Sequence, residues 1–483
     1  MHAINPVRNT GALREKSKIS NGVNRLKFIS CLLEKHSHFR HRGVRLLFGT
    51  ALAFFISYLL GVNLVIPLFI ICIFSYLKFF SKSYNLLHLS LLFVVIFVIS
   101  YFVVQEGLPI FYIPFAVIPM LSSILFEELM LSLLITIASS ISIAYLAGDI
   151  DAGLLFLISG VLSIILVRGA RKRITIIRAG FIVGAVSAVA LFFINHFGFS
   201  YPQHYLMFVI NGIVSGVIAI GILPIFEYLF KTVTNVSLLE LADFNQPLLQ
   251  RMVLEAPGTY HHSLVVGNLS EAACQAVGAN ALLARIGAYY HDIGKLQKPE
   301  YFSENQDVKN SKHDNLAPTM SKLVIMNHVN EGLELAKKYR LNPRLIDFIQ
   351  CHHGTSLVYC FYRRALEGLE EDQEIREEGF RYPGPKPNTK ETAIVLLADS
   401  AEAATKALKE SAPTDIEDVV HKIINNKFID RQLDECDLTL NDLEKISAVF
   451  IRILSGIYHA RVTYPESQAN SSEPRLSKRN ENS

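Results

Sequence analysis

One feature restricts this chain more than any other: from Leu46 to Phe230 the sequence is almost continuously apolar. A helix needs roughly 17 to 25 mostly apolar residues to cross the hydrocarbon core of a bilayer. The stretch is therefore long enough for about eight crossings, and the lipid bilayer is the expected partner of this part of the chain. The predicted spans are 46–61, 63–80, 85–105, 109–126, 128–148, 152–168, 179–197 and 205–226. Two places stay open: the first two spans are short and almost without a connection, and one of the two spans in 109–148 could be re-entrant.

The charges between the spans predict their orientation. Basic residues crowd residues 1–45 and recur at Lys82 and over 168–178. Because positively charged connections stay on the cytoplasmic side, we expect the N-terminus and everything after the last span to be cytoplasmic. The first apolar run is followed at once by another, which favours a retained span over a cleaved signal peptide. The connections on the opposite side contain no Lys or Arg, and they lie near 61–63, 105–108, 148–151 and 195–203.

The composition of the chain agrees with a membrane domain joined to a soluble one. Hydrophobic residues make up 51% and charged residues 18% of the 483 residues, whereas an ordinary soluble domain has about 25% charged residues. The formal net charge of +3 gives no reason to expect a DNA or RNA polymer as a partner. The predicted domains are a basic segment 1–45, a transmembrane domain 46–230, a connecting helical segment 231–255, a soluble domain 256–464 and a disordered tail 465–483.

The soluble half shows the spacing of helices. Apolar residues recur three and four residues apart, as in Val266, Leu269, Ala273 and Val277, and sustained strand-like alternation is absent. We therefore predict an all-α fold class: a polytopic helical membrane domain followed by an all-helical soluble domain. The six cysteines have no paired spacing, which argues against a disulfide scaffold or a thiolate zinc module.

Histidine is concentrated in one part of the soluble domain: seven of the 16 histidines lie in the window from His261 to His353. Asp399 follows an apolar helical run at 394–398, where an unpaired carboxylate would be costly. Imidazole and carboxylate ligands without paired cysteines suit a catalytic site for Fe, Mn, Co, Ni or Zn. More than four ligands exceed the needs of one tetrahedral ion, so the pattern predicts two ions. Asp292 is a good bridge because a carboxylate offers two oxygens.

Two such ions indicate phosphate chemistry. Ions about 3.5 to 4 Å apart can clamp a phosphoryl group and lower the pKa of a water toward ~7. Lys295 lies four residues after His291 and shares its face if the helix continues, so it could stabilise phosphate charge. An ordinary surface lysine is the alternative at this position. We therefore take Asp292 and Lys295 as the candidate catalytic residues.

The sequence His291-Asp292-Ile293-Gly294-Lys295 resembles the HDIG motif of the HD phosphohydrolase superfamily. Three further runs, 256–263, 352–356 and 380–387, resemble the bacterial membrane-bound seven-transmembrane HD phosphodiesterases. With the preceding spans, the resemblance covers roughly residues 63–464. It implies an enzyme of the bacterial cytoplasmic membrane that hydrolyses the cyclic dinucleotide cyclic di-AMP to linear pApA. The resemblance also implies a di-metal centre of iron or manganese in an HD domain at 256–464.

The resemblance assigns ligands residue by residue. His261 and His313 match no ligand, and we expect them to support the site or to lie at the surface. The oligomeric state stays open, with a homodimer as one option. By resemblance, one ion is held by His262, His291, Asp292 and Asp399, and the other by Asp292, His328, His352 and His353.

The sequence departs from the family in one respect and leaves other functions open. Family members usually carry a large extracellular domain after the first span, whereas here only one or two residues near Val62 separate the first two predicted spans. We therefore expect catalysis without control by an external ligand. The alternatives are a cyclic di-GMP phosphodiesterase, another HD-type nucleotide phosphohydrolase, or a transporter or receptor whose HD module only binds nucleotide. The Gly-Tyr-Pro element of the HD-GYP enzymes is missing, since His353 is followed by Gly354-Thr355-Ser356.

Overall fold

A computed structural model describes the chain in six ranges: 86–126, 128–194, 202–306, 311–368, 375–408 and 413–459. Within these ranges the regular structure is helical, and the only strand-like pairing is an isolated bridge between Leu357 and Arg381. This confirms the all-α prediction. The basic N-terminal segment, the first two predicted spans and the polar tail lie outside the described residues.

The described chain divides into two compact units, with the main boundary between Leu223 and Pro224. Of the helices that begin in the first unit, the last four are long and apolar enough to cross a membrane. They correspond to the last four predicted spans. The helices are α1 (Leu86–Gln105), α2 (Val117–Phe126), α3 (Leu129–Ala147), α4 (Ile150–Val167), α5 (Arg173–Ile194) and α6 (Pro202–Phe230).

The predicted span 109–126 is not one helix. It consists of a 3-10 turn at Ile110–Tyr112 followed by the ten-residue α2, which at 1.5 Å per residue is about 15 Å long and too short to cross. The break occurs at Pro114, since the residue before a proline is driven out of helical conformation, and Ile113 is extended (φ −74°, ψ 114°). The Asn211 side chain donates hydrogen bonds to the carbonyls of Phe111 (2.7 Å) and Ile113 (2.9 Å).

Ten α-helices begin in the described part of the second unit. Two apolar clusters form its core: one joins α9, α14, α15 and α16, and the other joins α7, α8, α10 and α12. The helices are α7 (Asn235–Leu241), α8 (Pro247–Glu255), α9 (Pro257–Val277), α10 (Ala281–Tyr290), α11 (Pro318–Lys338), α12 (Pro343–Cys351), α13 (Tyr359–Glu367), α14 (Lys390–Lys406), α15 (Pro413–Ile429) and α16 (Leu440–His459).

Helix α14 lies at the centre of the first cluster. It begins with a capping box, in which the side chains of Thr389 and Thr392 accept hydrogen bonds from each other's backbone amides. The residues Ala393 to Ala398 are all fully buried. This buried helix therefore carries Asp399 and Glu402 into the interior at fixed positions.

Candidate metal centre

Five separate segments bring the predicted ligands together. His262 lies on α9, His328 on α11 and Asp399 on α14, while two adjacent pairs follow the ends of α10 and α12. The side chains form two groups. Within each group, the donor atoms all lie within 4.8 Å of one another. The first group is His262, His291, Asp292 and Asp399, and the second is His328, His352 and His353.

Within the first group, imidazole nitrogens and carboxylate oxygens face each other. His262 Nε2 lies 3.1 Å from Asp399 Oδ1, and His291 Nε2 lies 3.1 Å from Asp292 Oδ2. The crossed pairs, His262 with Asp292 and His291 with Asp399, are each 3.8 Å apart. All four residues are buried, so their donor atoms converge on a small space shielded from bulk water.

Asp292 lies between the two groups. Its Oδ2 atom faces the first group, whereas its Oδ1 atom lies 3.3 Å from His328 Nε2 and 3.5 Å from His352 Nε2. His328 Nε2 and His352 Nε2 are themselves 3.0 Å apart. One carboxylate therefore presents one oxygen to each group.

Backbone carbonyls orient three of the imidazoles. The Nδ1 atoms of His291, His328 and His352 lie 2.6, 2.5 and 2.9 Å from the carbonyl oxygens of Ala288, Ile325 and Ile349. A carbonyl oxygen can only accept a hydrogen bond, so each Nδ1 carries the proton. In the neutral imidazole the lone pair is then on Nε2, the atom that faces the centre. Such hydrogen bonds fix ring orientation and tautomer in metal sites.

Glu402 orients the fourth imidazole, and the sequence analysis missed it. The Nδ1 atom of His262 lies 2.6 Å from Glu402 Oε2, and Tyr458 donates to Glu402 Oε1 at 3.3 Å. The glutamate is only 2% exposed. It follows Asp399 by three residues on α14, so the two acids share one face of the helix. That spacing is the signal that could have identified it.

Among the residues that the structure describes, His291 Nε2 and Asp292 Oδ1 are two buried atoms of the centre without a hydrogen-bond partner. A buried polar atom without a partner costs about 1 to 3 kcal/mol, and native proteins rarely leave one. Both atoms point into the space where the donor atoms converge. Imidazole and carboxylate donors suit divalent transition-metal ions, so the residues present fit such ions.

The two groups differ in charge when no metal is bound. Burial lowers the pKa of His262 and His291, but the adjacent carboxylates raise it by a larger amount. The resulting pKa is about 9 for His262 and about 10 for His291. Burial likewise lowers the pKa of His328, and there Asp292 only partly compensates, so the pKa is about 4. Near neutral pH the first group therefore holds protons that an incoming metal ion must displace.

Lys295 is a buried member of the site, with a side chain 13% exposed, and not a surface lysine. Its ammonium lies 2.8 Å from Asp292 Oδ2 and 2.7 Å from Glu304 Oε1. Helix α10 ends at Tyr290 and a 3-10 turn, Ile293–Gln297, follows, so the condition for a helical face shared with His291 is not met. The pKa of Lys295 is lowered by burial but raised more by the two carboxylates.

The glycine of the His-Asp-Ile-Gly run has a steric role. A Cβ atom at Gly294 would overlap the carbonyl oxygen of His328 and the backbone amide nitrogen of Gly332. The turn after Asp292 therefore packs directly against the backbone of α11. This close approach holds His328 near Asp292.

The two histidines without an assigned role lie outside both groups. His261 is exposed. His313 is buried, with Nε2 2.8 Å from the carbonyl oxygen of Tyr301 and its ring 5.0 Å from that of Phe361. It supports the segment beside α13.

Comparison with known proteins agrees with both units. Residues 45–234 match the family described as "7TM receptor with intracellular HD hydrolase", and residues 259–404 match the HD domain family. The cyclic-di-AMP phosphodiesterase PgpH of Bacillus subtilis is 39% identical over 432 residues, which are 84% of this chain and 60% of the relative. The chain therefore contains one segment similar to the 7TM family and one similar to the HD domain family. These matches confirm the resemblance found in the sequence. Together with the four helices that are long and apolar enough to cross a membrane, they indicate a membrane protein.

A second relative resembles the chain to a similar degree. The cyclic-di-AMP phosphodiesterase PgpH of Listeria monocytogenes is 35% identical over 403 residues, 80% of this chain and 54% of the relative. The chain thus spans little more than half the length of these relatives. A crystal structure of the L. monocytogenes PgpH HD domain in complex with cyclic-di-AMP is 42% identical with a TM-score of 0.43, covering 45% of this chain and 100% of the crystallised chain. HD domains bind divalent metals, in agreement with the donor set described above.

Proposed function

We propose that this chain is a membrane-anchored, metal-dependent phosphodiesterase that hydrolyses cyclic di-AMP to linear pApA. The observation that carries the proposal is the convergence of seven histidine and aspartate side chains in two groups that share Asp292. The substrate is suggested by the two PgpH relatives, whose name is cyclic-di-AMP phosphodiesterase.

The ligand sets follow from the two groups. We assign one ion to His262, His291, Asp292 and Asp399, and the other to Asp292, His328, His352 and His353. Two divalent ions held by these residues would clamp a phosphoryl group and make a water more acidic. The mixed imidazole and carboxylate ligands, without thiolates, suit Fe, Mn, Co, Ni or Zn. Within that set we propose iron or manganese, because the resemblance to the membrane-bound HD phosphodiesterases implies these metals.

The chain's own residues have distinct tasks in this proposal. Asp292 fixes the distance between the two ligand groups, because each of its two oxygens faces a histidine of a different group. Lys295 holds Asp292 Oδ2 from the protein side, and Glu304 fixes Lys295 in turn. Lys295 already pairs with two carboxylates, and its charge is therefore neutralised within the protein. Contact of this lysine with a substrate phosphate stays a prediction. Glu402 and the three backbone carbonyls keep the imidazole nitrogens directed inward.

The location of the HD domain is also a proposal. The connection between α4 and α5 contains Arg168, Arg171 and Lys172, which favours the cytoplasmic side of a bacterial membrane. An even number of crossings then places the HD domain, 256–464, on the same side as this connection. The domain limits at 45, 230, 255 and 464 and the choice between monomer and homodimer stay predictions.

The proposal is tested with the full chain in lipid nanodiscs, loaded anaerobically with Fe²⁺ or Mn²⁺. The chain is incubated separately with cyclic di-AMP, cyclic di-GMP and pApA, and the products are separated by liquid chromatography. We expect cyclic di-AMP to give pApA and Asp292→Ala to give none. Faster hydrolysis of cyclic di-GMP would favour the alternative phosphodiesterase. Tight nucleotide binding without any product, by protein that holds two ions, would favour the receptor alternative.

A further inference from the structure

A second lysine lies beside the metal centre, and within the described ranges its ammonium forms no ion pair. Lys427, near the end of α15, donates a hydrogen bond to Ser356 Oγ at 2.7 Å. Among the described residues, no carboxylate lies within 4.0 Å of its ammonium, in contrast to Lys295. The nearest acid along the chain, Asp430, is engaged by Arg381 at 2.8 and 3.1 Å and by Gln432.

Ser356 connects Lys427 to the second ligand group. The backbone amide of Ser356 donates to the carbonyl of His353 at 3.0 Å, and its carbonyl accepts from the amide of Tyr382 at 3.0 Å. The ring of Tyr382 stacks on His353 with 4.3 Å between centroids. The lysine is therefore separated from His353 by one short, hydrogen-bonded turn.

This turn is held rigidly. Gly354 has φ +53°, and a Cβ atom there would overlap Gln432 Oε1. The same glutamine oxygen accepts a hydrogen bond from the amide of Thr355 at 2.8 Å, and Arg381 donates to the Thr355 carbonyl at 2.9 Å. The Ser356 hydroxyl and the Lys427 ammonium are thus placed in advance, before any ligand binds.

An ammonium in this position favours an anionic ligand. Burial lowers the pKa of Lys427, and Asp399 and Asp430 offset this only in part. Removing a cation from water without a partner is costly, and a phosphate oxygen is a suitable partner for a lysine. A cyclic dinucleotide has two phosphates, and the two ligand groups can engage only the one that is being hydrolysed.

We infer that Lys427, together with Ser356, binds the second phosphate of the substrate, the one that is not being cleaved. This inference rests on the proposed function and specifies how a dinucleotide with two phosphates is recognised. Lys427 is a substrate-binding residue on this view. It contributes to affinity and to the preference for cyclic dinucleotides over substrates with a single phosphate.

The test uses the full chain with both metals and the variants Lys427→Met, Lys427→Arg and Ser356→Ala. Methionine keeps the length of the side chain but removes the charge. Binding is measured with a hydrolysis-resistant phosphorothioate analogue of cyclic di-AMP, and turnover with cyclic di-AMP and with bis(4-nitrophenyl) phosphate, which has one phosphate. Lys422→Gln, an exposed lysine on the same helix, is the matched control.

We expect Lys427→Met to bind the analogue about 10- to 100-fold more weakly, the usual effect of losing a charge-assisted hydrogen bond. The KM for cyclic di-AMP should rise while the metal content stays at two, and the loss on bis(4-nitrophenyl) phosphate should be much smaller. Lys427→Arg should restore part of the affinity. In the absence of ligand, Lys427→Met should melt at or above the temperature of the unaltered chain, because an unpaired charge has been removed.

The outcomes separate this inference from the proposed function. If the unaltered chain neither binds nor hydrolyses a cyclic dinucleotide, both are overturned. If the unaltered chain is active and Lys427→Met binds the analogue equally well, the inference alone is overturned. A Lys427→Met protein that loses metal or melts at a lower temperature, with equal losses on both substrates, would show a structural role and would also overturn it.

Discussion

Glu402 offers the sharpest test of how the metal centre is built, because it touches only one ligand. Its Oε2 atom is 2.6 Å from His262 Nδ1, and no backbone carbonyl replaces it at that nitrogen in the described structure. Glu402→Ala removes the acceptor and leaves the Tyr458 hydroxyl without its partner. The other three ligands of the first group keep their contacts.

The size of the effect follows from the role of such carboxylates. Loss of the residue that orients a histidine ligand typically lowers metal affinity or activity about 10- to 100-fold. At 1.4 kcal/mol per factor of ten, this equals about 1.4 to 2.8 kcal/mol. Glu402→Gln should lose less, because an amide oxygen can still accept from Nδ1. Lys406→Gln, exposed on the same helix, should change nothing.

The assay is equilibrium dialysis of the nanodisc-embedded chain against a series of free Mn²⁺ concentrations, with bound metal counted by mass spectrometry. Glu402→Ala should fill its first site at a higher concentration while the second site fills as before. Unchanged filling of both sites in Glu402→Ala would show that Glu402 does not orient a ligand. Equal losses in the Gln and Ala variants would point to a general loss of packing.

Three further perturbations address other parts of the centre. Asp292→Ala should lower the metal occupancy of both sites and reduce turnover by several orders of magnitude. The control His313→Ala should do neither. An Asp292→Ala protein with two ions and parental turnover would refute the bridging role. Gly294→Ala should cost about 1 to 3 kcal/mol of stability by overpacking against α11, visible as a lower melting temperature, and a parental melting curve would contradict the close approach. In the metal-free chain, the raised pKa values of His262 and His291 keep both protonated at pH 7.5, so metal uptake should release about two protons and strengthen as the pH rises. Calorimetry in two buffers of different ionisation enthalpy measures this release, and uptake without protons would contradict the charge state.

The sequence could predict the ligands because their residue types are unusual where they occur. Asp399 follows five buried apolar residues, and seven of the 16 histidines lie between His261 and His353, so both features stand out in the sequence alone. Helical spacing likewise predicted the all-α fold. The structure brings all seven predicted ligands together, while their binding to metal stays a prediction.

The contacts between distant segments could not be predicted in the same way. Glu402 meets a histidine 140 residues earlier, and Lys427 meets a serine 71 residues earlier. Whether the helix of His291 continues to Lys295 was left open, and the structure shows that α10 ends at Tyr290. The break at Pro114 was missed for another reason: hydropathy measures length and polarity, and it does not register the conformation before a proline.

The hydrogen bonds from imidazoles to backbone carbonyls have an evolutionary consequence. A point mutation can replace a side chain, but it leaves the carbonyl groups of Ala288, Ile325 and Ile349 in place. The tautomers of His291, His328 and His352 are therefore shielded from single substitutions at neighbouring positions. His262 is oriented by a glutamate that one nucleotide change can remove, so inherited variation in metal affinity should arise mainly at the first ion.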